Sequence, residues 1–163
     1  MNPGTWAGTA WTTCWPRRVL KFIVRHAEMT PRELLAELRA LNLGGFAMTH
    51  SGAPFLEVLA EGVSKAWGLE QLCARLGVRR EEVLAFGDAP NDAEMLAWAG
   101  HGVAVANAEP EALEAADEVT LSNAEDGVAV VTSSAASRIP SLTKGAIVGW
   151  VTGFASRRAY AGA

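Results

Sequence analysis

The side chains best suited to chemistry stand in the sequence Gly-Asp-Ala-Pro-Asn-Asp at residues 87–92. An apolar run at residues 83–86 precedes them and predicts a short buried strand, so Asp88 should project from that strand's carboxyl end. A carboxylate there, with phosphate oxygens and water, could hold Mg²⁺. Asn91 and Asp92 should open the next helix, where they could cap it and an anion is favoured. The alternative is an ordinary Asx turn and helix cap, because Asp and Asn are common in both.

Lys65 is the second candidate, because it opens a predicted helix over residues 65–76. Parallel strands and the helices between them would place Lys65 and Asp88 at the same edge of a sheet. A lysine in that position can bind phosphate as a point charge. The alternative is a solvated surface lysine, which is what most lysines are.

Residues 18–60 predict a β-α-β-β unit. An apolar, β-branched run at residues 18–26 indicates a strand, and a capping box from Thr30 to Glu33 starts a helix that ends at Gly44. Two further strands, at residues 46–51 and 55–60, flank a short turn and predict a hairpin.

Residues 61–131 have a different pattern, in which short apolar strands alternate with helices. The predicted elements are a helix over 65–76, a strand over 83–86, a helix over 92–99, a strand over 103–106, a helix over 110–116 and a strand over 119–121. This alternation is typical of parallel β-α-β units with helices on both faces of the sheet.

Composition excludes several classes of protein. Half of the 163 residues are hydrophobic and a fifth are charged, which excludes a largely disordered chain. A net charge of −4 argues against nucleic acid or a membrane surface as partner. Two cysteines are too few for a disulfide framework and favour a reducing, cytoplasmic setting.

The two ends of the chain differ from its middle. Residues 1–17 predict an irregular leader rich in Trp and Thr, and residues 132–163 an atypical tail rich in Ser, Ala and Gly. The apolar run in that tail, residues 145–155, is too short to span a bilayer.

Several short motifs follow one another in a specific order. They are Phe55-Leu56-Glu57-Val58, Gly62-Val63-Ser64-Lys65, Gly87-Asp88-x-x-Asn91-Asp92-x-x-Met95-Leu96, Ala99-Gly100-x-Gly102-Val103-Ala104-Val105-x-Asn107-Ala108, Ala116-Asp117-x-Val119-Thr120 and Asn123-x-x-Asp126-Gly127-Val128-Ala129. In this order they resemble the C-terminal half of a Cof-type phosphatase, a branch of the haloacid dehalogenase (HAD) superfamily. The resemblance covers about residues 18–130.

The resemblance implies a fold and a set of roles. The fold would be α/β, a partial HAD-like Rossmannoid three-layer sandwich at residues 61–131 with a remnant of an α/β cap at residues 18–60. Asp88 matches the family's Mg²⁺-binding aspartate, and Asp92 the aspartate that supports the metal site. Asn91 matches a residue on the phosphate side of the substrate, and Lys65 the lysine that neutralises the phosphoryl group and the nucleophile. The implied substrate is a small phosphorylated metabolite and the implied cofactor is Mg²⁺.

One departure from the family pattern bears on activity. The family's reaction uses an Asp-x-Asp motif, in which the first Asp attacks phosphorus and the second is the general acid and base. The four aspartates of this chain stand at positions 88, 92, 117 and 126, so none forms such a pair. We therefore expect a segment of a Mg²⁺-dependent phosphatase, inactive by itself, from a truncated or mis-started reading frame. The alternative is a non-catalytic remnant that binds a metal, a phosphate ligand or a partner chain.

The missing motifs also affect the expected surface. In the family, the strands that carry them lie at the centre of the sheet. Without them the sheet should expose an edge and apolar surface, which favours self-association or binding of a complementing chain.

Overall fold

A computed structural model describes residues 19–138 and 147–149. The predicted leader at residues 1–17, and most of the predicted tail, lie outside the described residues. The described chain forms two sheets. We call residues 19–60 the cap unit, and residues 61–138 with 147–149 the core unit.

The cap unit is a three-stranded antiparallel sheet with one helix. It consists of strand β1 (Phe22–Val24), helix α1 (Pro31–Ala40), strand β2 (Phe46–Thr49) and strand β3 (Leu56–Ala60), and the sheet order is β1-β3-β2. The predicted capping box is present, because Thr30 accepts from the Glu33 amide and Glu33 accepts from the Thr30 amide. Leu34, Leu35 and Leu56 form the buried centre of this unit.

Strand β1 is shorter than the predicted run at residues 18–26. Its three residues pair with Leu56 to Val58 of β3. The side chain of His26 then accepts hydrogen bonds from the amides of Glu28 and Met29, at 3.2 and 3.1 Å. These bonds close a turn directly after the strand, which ends at Val24.

The core unit alternates helices and strands as predicted. Its elements are helix α2 (Lys65–Leu76), strand β4 (Leu84–Gly87), helix α3 (Ala93–Trp98), strand β5 (His101–Val105), helix α4 (Pro110–Ala115), strand β6 (Glu118–Thr120), helix α5 (Gly127–Arg138) and strand β7 (Ile147–Gly149). The sheet order is β6-β5-β4-β7, and every strand pair is parallel. Three short 3-10 turns join these elements, at Arg80–Glu82, Pro90–Asp92 and Asn123–Glu125.

Two apolar clusters make the core unit a three-layer sandwich. One face of the sheet packs against α2, α3 and α4 through residues that include Leu69, Met95 and Ala112. The other face packs against α5, where Phe86 meets Val131. Helices on both faces of a parallel sheet bury its strands on both sides, and β4 is buried throughout. The predicted α/β fold is therefore confirmed.

The C-terminal part of the chain contributes more to the core unit than the sequence indicated. Helix α5 continues past residue 131 into the predicted tail, which begins at residue 132. Strand β7 lies within the apolar run of that tail and pairs in parallel with β4, from Leu84↔Ile147 to Phe86↔Gly149. The sequence predicted an exposed sheet edge, but β7 covers this edge of β4 along three residues. Within the described residues no helix is long and apolar enough to cross a membrane.

Candidate functional site

The turn after β4 is held by the close approach of its own residues. A Cβ added at Gly87 would lie 2.5 Å from the Cβ of Asp92 and 3.1 Å from a methyl carbon of Leu96. The chain must therefore have glycine here, because any side chain would collide with Asp92. The φ angle of Gly87 is not positive. Glycine is therefore needed here because of the lack of space for a side chain, and not because of a left-handed backbone conformation.

Asp92 is the centre of this turn and is fully buried. One of its oxygens, Oδ2, accepts hydrogen bonds from the amides of Asp88 and Ala89, both at 3.1 Å. The other, Oδ1, accepts from the ammonium of Lys65. Both carboxylate oxygens are thus occupied, as a buried charge requires.

The predicted helix over residues 92–99 is present as Ala93–Trp98, but the expected side-chain cap at its start is wrong. Residues Pro90–Asp92 form a 3-10 turn, and α3 begins only at Ala93. The carboxylate of Asp92 makes no cap hydrogen bond to α3, because it points back to the amides before it. The expected helix cap is therefore replaced by a brace across the Asp88 turn.

Lys65 lies at the first position of α2, after the N-cap Ser64, whose hydroxyl accepts from the Trp67 amide at 3.2 Å. Its side chain is one quarter exposed and contacts Asp92. The structure therefore brings Lys65 to the sheet edge that carries the acidic turn, as the strand and helix order predicted. The roles of these residues toward phosphate and metal stay predictions.

Asp88 and Asn91 occupy the two ends of the turn. Asp88 is partly exposed, and its carbonyl accepts a hydrogen bond from the Glu109 amide at 2.8 Å. The Oδ1 atom of Asn91 is buried and has no hydrogen-bond partner among the described residues. A buried amide oxygen without a protein donor calls for a donor from outside the chain, such as water, an ion with its waters or a ligand.

These residues fit a weak Mg²⁺ site with one direct carboxylate. Within the described part of the chain, no three His, Cys, Asp or Glu side chains form a group that could hold a metal. Asp92 is occupied by Lys65 and two amides, so it can support the turn but cannot bind the ion directly. Asp88 is then the candidate carboxylate ligand, and Mg²⁺ commonly takes only one or two carboxylates and keeps its waters.

A cavity of about 630 Å³ opens between the cap unit and the acidic turn. That volume lies in the range of small-molecule sites. Its core wall includes Ser64, Lys65, Pro90, Asn91, Ala93, Glu94 and Glu111, and its cap wall includes Arg32, Leu35, Arg39, Met48, Thr49, His50, Glu57 and Leu59. Lys65 and Asn91 therefore face a space that could contain a metabolite.

Ion pairs connect the two units at one side of this cavity. Arg32 of α1 donates to both carboxylate oxygens of Glu111, at 2.8 and 3.0 Å, and to Glu109 at 3.2 Å. The hydrogen bond from Arg32 lowers the pKa of Glu111, and the same contact raises the pKa of Arg32. Sequence reasoning did not find these residues, because Arg32 and Glu111 are 79 positions apart and follow no motif.

Sequence reasoning also missed His50 as a cavity residue. It follows β2, is 5% exposed and lines the cavity. Its Nδ1 atom has no hydrogen-bond partner among the described residues and lies 3.9 Å from Glu109 Oε1. A buried polar histidine next to an apolar strand gives no signal in the sequence.

The model of the haloacid dehalogenase-like hydrolase family matches residues 13–131. The chain belongs to this family. A curated relative from Bacillus subtilis, 5-amino-6-(5-phospho-D-ribitylamino)uracil phosphatase YitU, is 45% identical over 74 residues, which is 45% of this chain and 27% of the relative.

Solved structures of HAD proteins agree with this assignment. A haloacid dehalogenase-like hydrolase from Bacteroides thetaiotaomicron is 35% identical with a TM-score of 0.58, and the match covers 77% of this chain and 47% of that one. The HAD subclass IIB sugar phosphatase BT4131 is 27% identical with a TM-score of 0.62, over 74% of this chain and 44% of its own. The expected HAD membership is therefore confirmed. This HAD chain spans about a third of the first curated relatives and less than half of these structures.

Proposed function

We propose that this HAD chain is the phosphate- and metal-binding half of a Mg²⁺-dependent phosphatase for a small phosphorylated metabolite. The observation that carries the proposal is the joint position of Lys65, Asp88 and Asn91 around one braced turn beside the 630 Å³ cavity. Phosphatases among the relatives support the reaction class. The cytoplasmic setting stays part of this proposal.

Each residue would act on the phosphoryl group through charge or hydrogen bonding. Lys65 would offer its ammonium to a phosphate oxygen, held in place by the carboxylate of Asp92. The Oδ1 atom of Asn91 is an acceptor, so it would complete its hydrogen bond with a water molecule bound to the metal or to the phosphoryl group. Asp88 would hold Mg²⁺, and the metal would supply positive charge at the phosphoryl oxygens.

None of these side chains can form the covalent intermediate of the family reaction. The chain has no Asp-x-Asp pair, so attack on phosphorus would need an unactivated water. Charge stabilisation alone retains only a small part of an enzyme's rate when the nucleophile is missing. We therefore propose that this chain binds the phosphoryl group and the metal without turning a substrate over.

Calorimetry with Mn²⁺ and with inorganic phosphate tests the proposal. We expect Mn²⁺ to bind in the millimolar range, about 4 kcal/mol, because Asp88 would be the single carboxylate bound directly to the metal. Asp88→Asn should abolish Mn²⁺ binding, and Lys65→Ala should abolish phosphate binding. Glu70→Gln, an exposed charge on α2, is the matched control. Micromolar Mn²⁺ binding that survives Asp88→Asn would contradict the assignment.

A further inference from the structure

Glu109 has an unusual position between the two units. It is the residue before α4, and its amide donates to the carbonyl of Asp88 at 2.8 Å. Its side chain reaches in the other direction, where Oε2 accepts from Arg32 of the cap unit at 3.2 Å. One residue therefore contacts both the candidate metal turn and the cap helix.

The contact on the cap side is geometrically well defined. Arg32 binds Glu111 with two parallel hydrogen bonds and reaches Glu109 with the second nitrogen of the same guanidinium. A planar fork bound to two carboxylates has few alternative orientations. The side chain of Glu109 is therefore held in a position that depends on where α1 lies.

A second cap element approaches the same carboxylate. The β2–β3 turn places His50 Nδ1 at 3.9 Å from Glu109 Oε1, and a Cβ at Gly52 would lie 3.7 Å from that oxygen. His50 Nδ1 has no partner among the described residues. A movement of the cap by about 1 Å would bring this pair within hydrogen-bond distance.

We propose that Glu109 is a positioning residue. Through it, the position of the cap unit determines how firmly the backbone of Asp88 is held. Arg32 holds the Glu109 side chain from the cap unit, and the Glu109 amide holds the Asp88 carbonyl. The position of the cap unit would thereby order the metal-binding turn. The consequence for metal binding rests on the function proposed above.

The competing explanation is that Arg32, Glu109 and Glu111 form only a surface ion-pair cluster. Exposed pairs contribute little, and Arg32 is 58% exposed in its side chain. Such a pair would affect local stability slightly and would leave the Asp88 turn unchanged. The two explanations therefore differ at the backbone hydrogen bond between Glu109 and Asp88.

Amide hydrogen exchange measured by NMR on the full chain tests the proposal. Arg32→Ala removes the cap contact, and Arg39→Ala is the matched control, because it removes an arginine from the same helix and the same cavity wall. We expect exchange of the Glu109 amide to become about tenfold faster in Arg32→Ala and to stay within about twofold in Arg39→Ala. Arg32→Lys should give an intermediate rate, since lysine keeps the charge and loses the fork.

Two results would overturn the proposal. One is equal exchange of the Glu109 amide in Arg32→Ala and Arg39→Ala. The other is a uniform rise that includes the amides of β5, which would mean a loss of global stability. The experiment needs neither metal nor phosphate, so its failure is distinguishable from failed Mn²⁺ or phosphate binding. Where Mn²⁺ does bind, Glu109→Gln should weaken it severalfold and the exposed Glu114→Gln should not.

Discussion

Lys65 and Asp92 stand 27 positions apart and form an ion pair beneath the Asp88 turn, with Asp92 fully buried and Lys65 one quarter exposed. The pair joins the start of α2 to the 3-10 turn that precedes α3. Part of the Lys65 side chain faces the cavity, whereas Asp92 is buried and both of its oxygens are hydrogen-bonded within the chain. Asp92 therefore has a structural role here, and part of the Lys65 side chain lines the cavity.

Removing the buried carboxylate of Asp92 should lower the free energy of unfolding. Asp92→Ala leaves the Lys65 ammonium and the amides of Asp88 and Ala89 without their acceptor. We expect a loss of about 3–5 kcal/mol in the free energy of unfolding. Urea denaturation followed by circular dichroism measures it. The exposed Glu94→Ala is the control, and an equal effect of both variants would contradict the account.

Gly87 should tolerate no side chain. Gly87→Ala places a Cβ at 2.5 Å from the Cβ of Asp92, so we expect a destabilisation of about 1–3 kcal/mol from overpacking. Gly68 is the matched control, since it lies within α2 and a Cβ added there would have no atom within 4 Å. Gly68→Ala should stabilise the chain by about 0.5–1 kcal/mol, because alanine favours a helix. Thermal denaturation that shows the opposite order would refute this explanation of the turn.

The Arg32–Glu111 contact should give a weak dependence of stability on pH. The hydrogen bond from Arg32 lowers the pKa of Glu111 below its usual 4.5 in the folded chain. The contact therefore stabilises above pH 4.5 and is lost as the pH falls through the folded pKa. Both side chains are more than one third exposed, so solvent screening should keep the effect small.

Urea denaturation of the parent chain and of Arg32→Ala between about pH 3 and 7 measures this dependence. The difference between the two should be largest near neutral pH and should shrink in acid. Arg39→Ala is again the control. A difference that stays constant across the whole range would show that Glu111 does not titrate against Arg32.

Apolar surface on the cap unit should promote self-association. The side chains concerned are at least two fifths exposed: Leu20, Phe22, Ile23, Leu41 and Leu43. Since β1 is an edge strand of the described sheet, Ile23→Lys should reduce association by charging that edge. Leu76→Lys, on α2 of the core unit, is the control. Sedimentation velocity that finds only monomer at every concentration would exclude this surface as an interface.

Local patterns in the sequence predicted the fold well. The capping box from Thr30 to Glu33, and the alternation of short strands and helices, depend on neighbouring residues and were found in the structure. The meeting of Lys65 with the acidic turn was also predictable, because parallel connections bring helix starts and strand ends to one edge.

Contacts set by tertiary packing could not be predicted. The bond from Arg32 to Glu111 joins two exposed residues whose types are common on any surface. The need for glycine at position 87 comes from the side chain of Asp92. Strand β7 lies in an apolar run without alternating polar and apolar residues, and it pairs with β4. In each case the partner, and not the local sequence, determines the structure.

The most direct test of the account is hydrolysis of an aryl phosphate with Mg²⁺ by the purified 163-residue chain. We predict no turnover above buffer for the chain alone, because Lys65, Asp88 and Asn91 can hold a phosphoryl group but cannot attack it. Adding a segment that carries the Asp-x-Asp strand, as a fusion or as a separate chain, should restore turnover, and Lys65→Ala should abolish it again. Robust Mg²⁺-dependent turnover by the chain alone, lost in Asp88→Ala, would contradict the account and would reveal a nucleophile among the present residues.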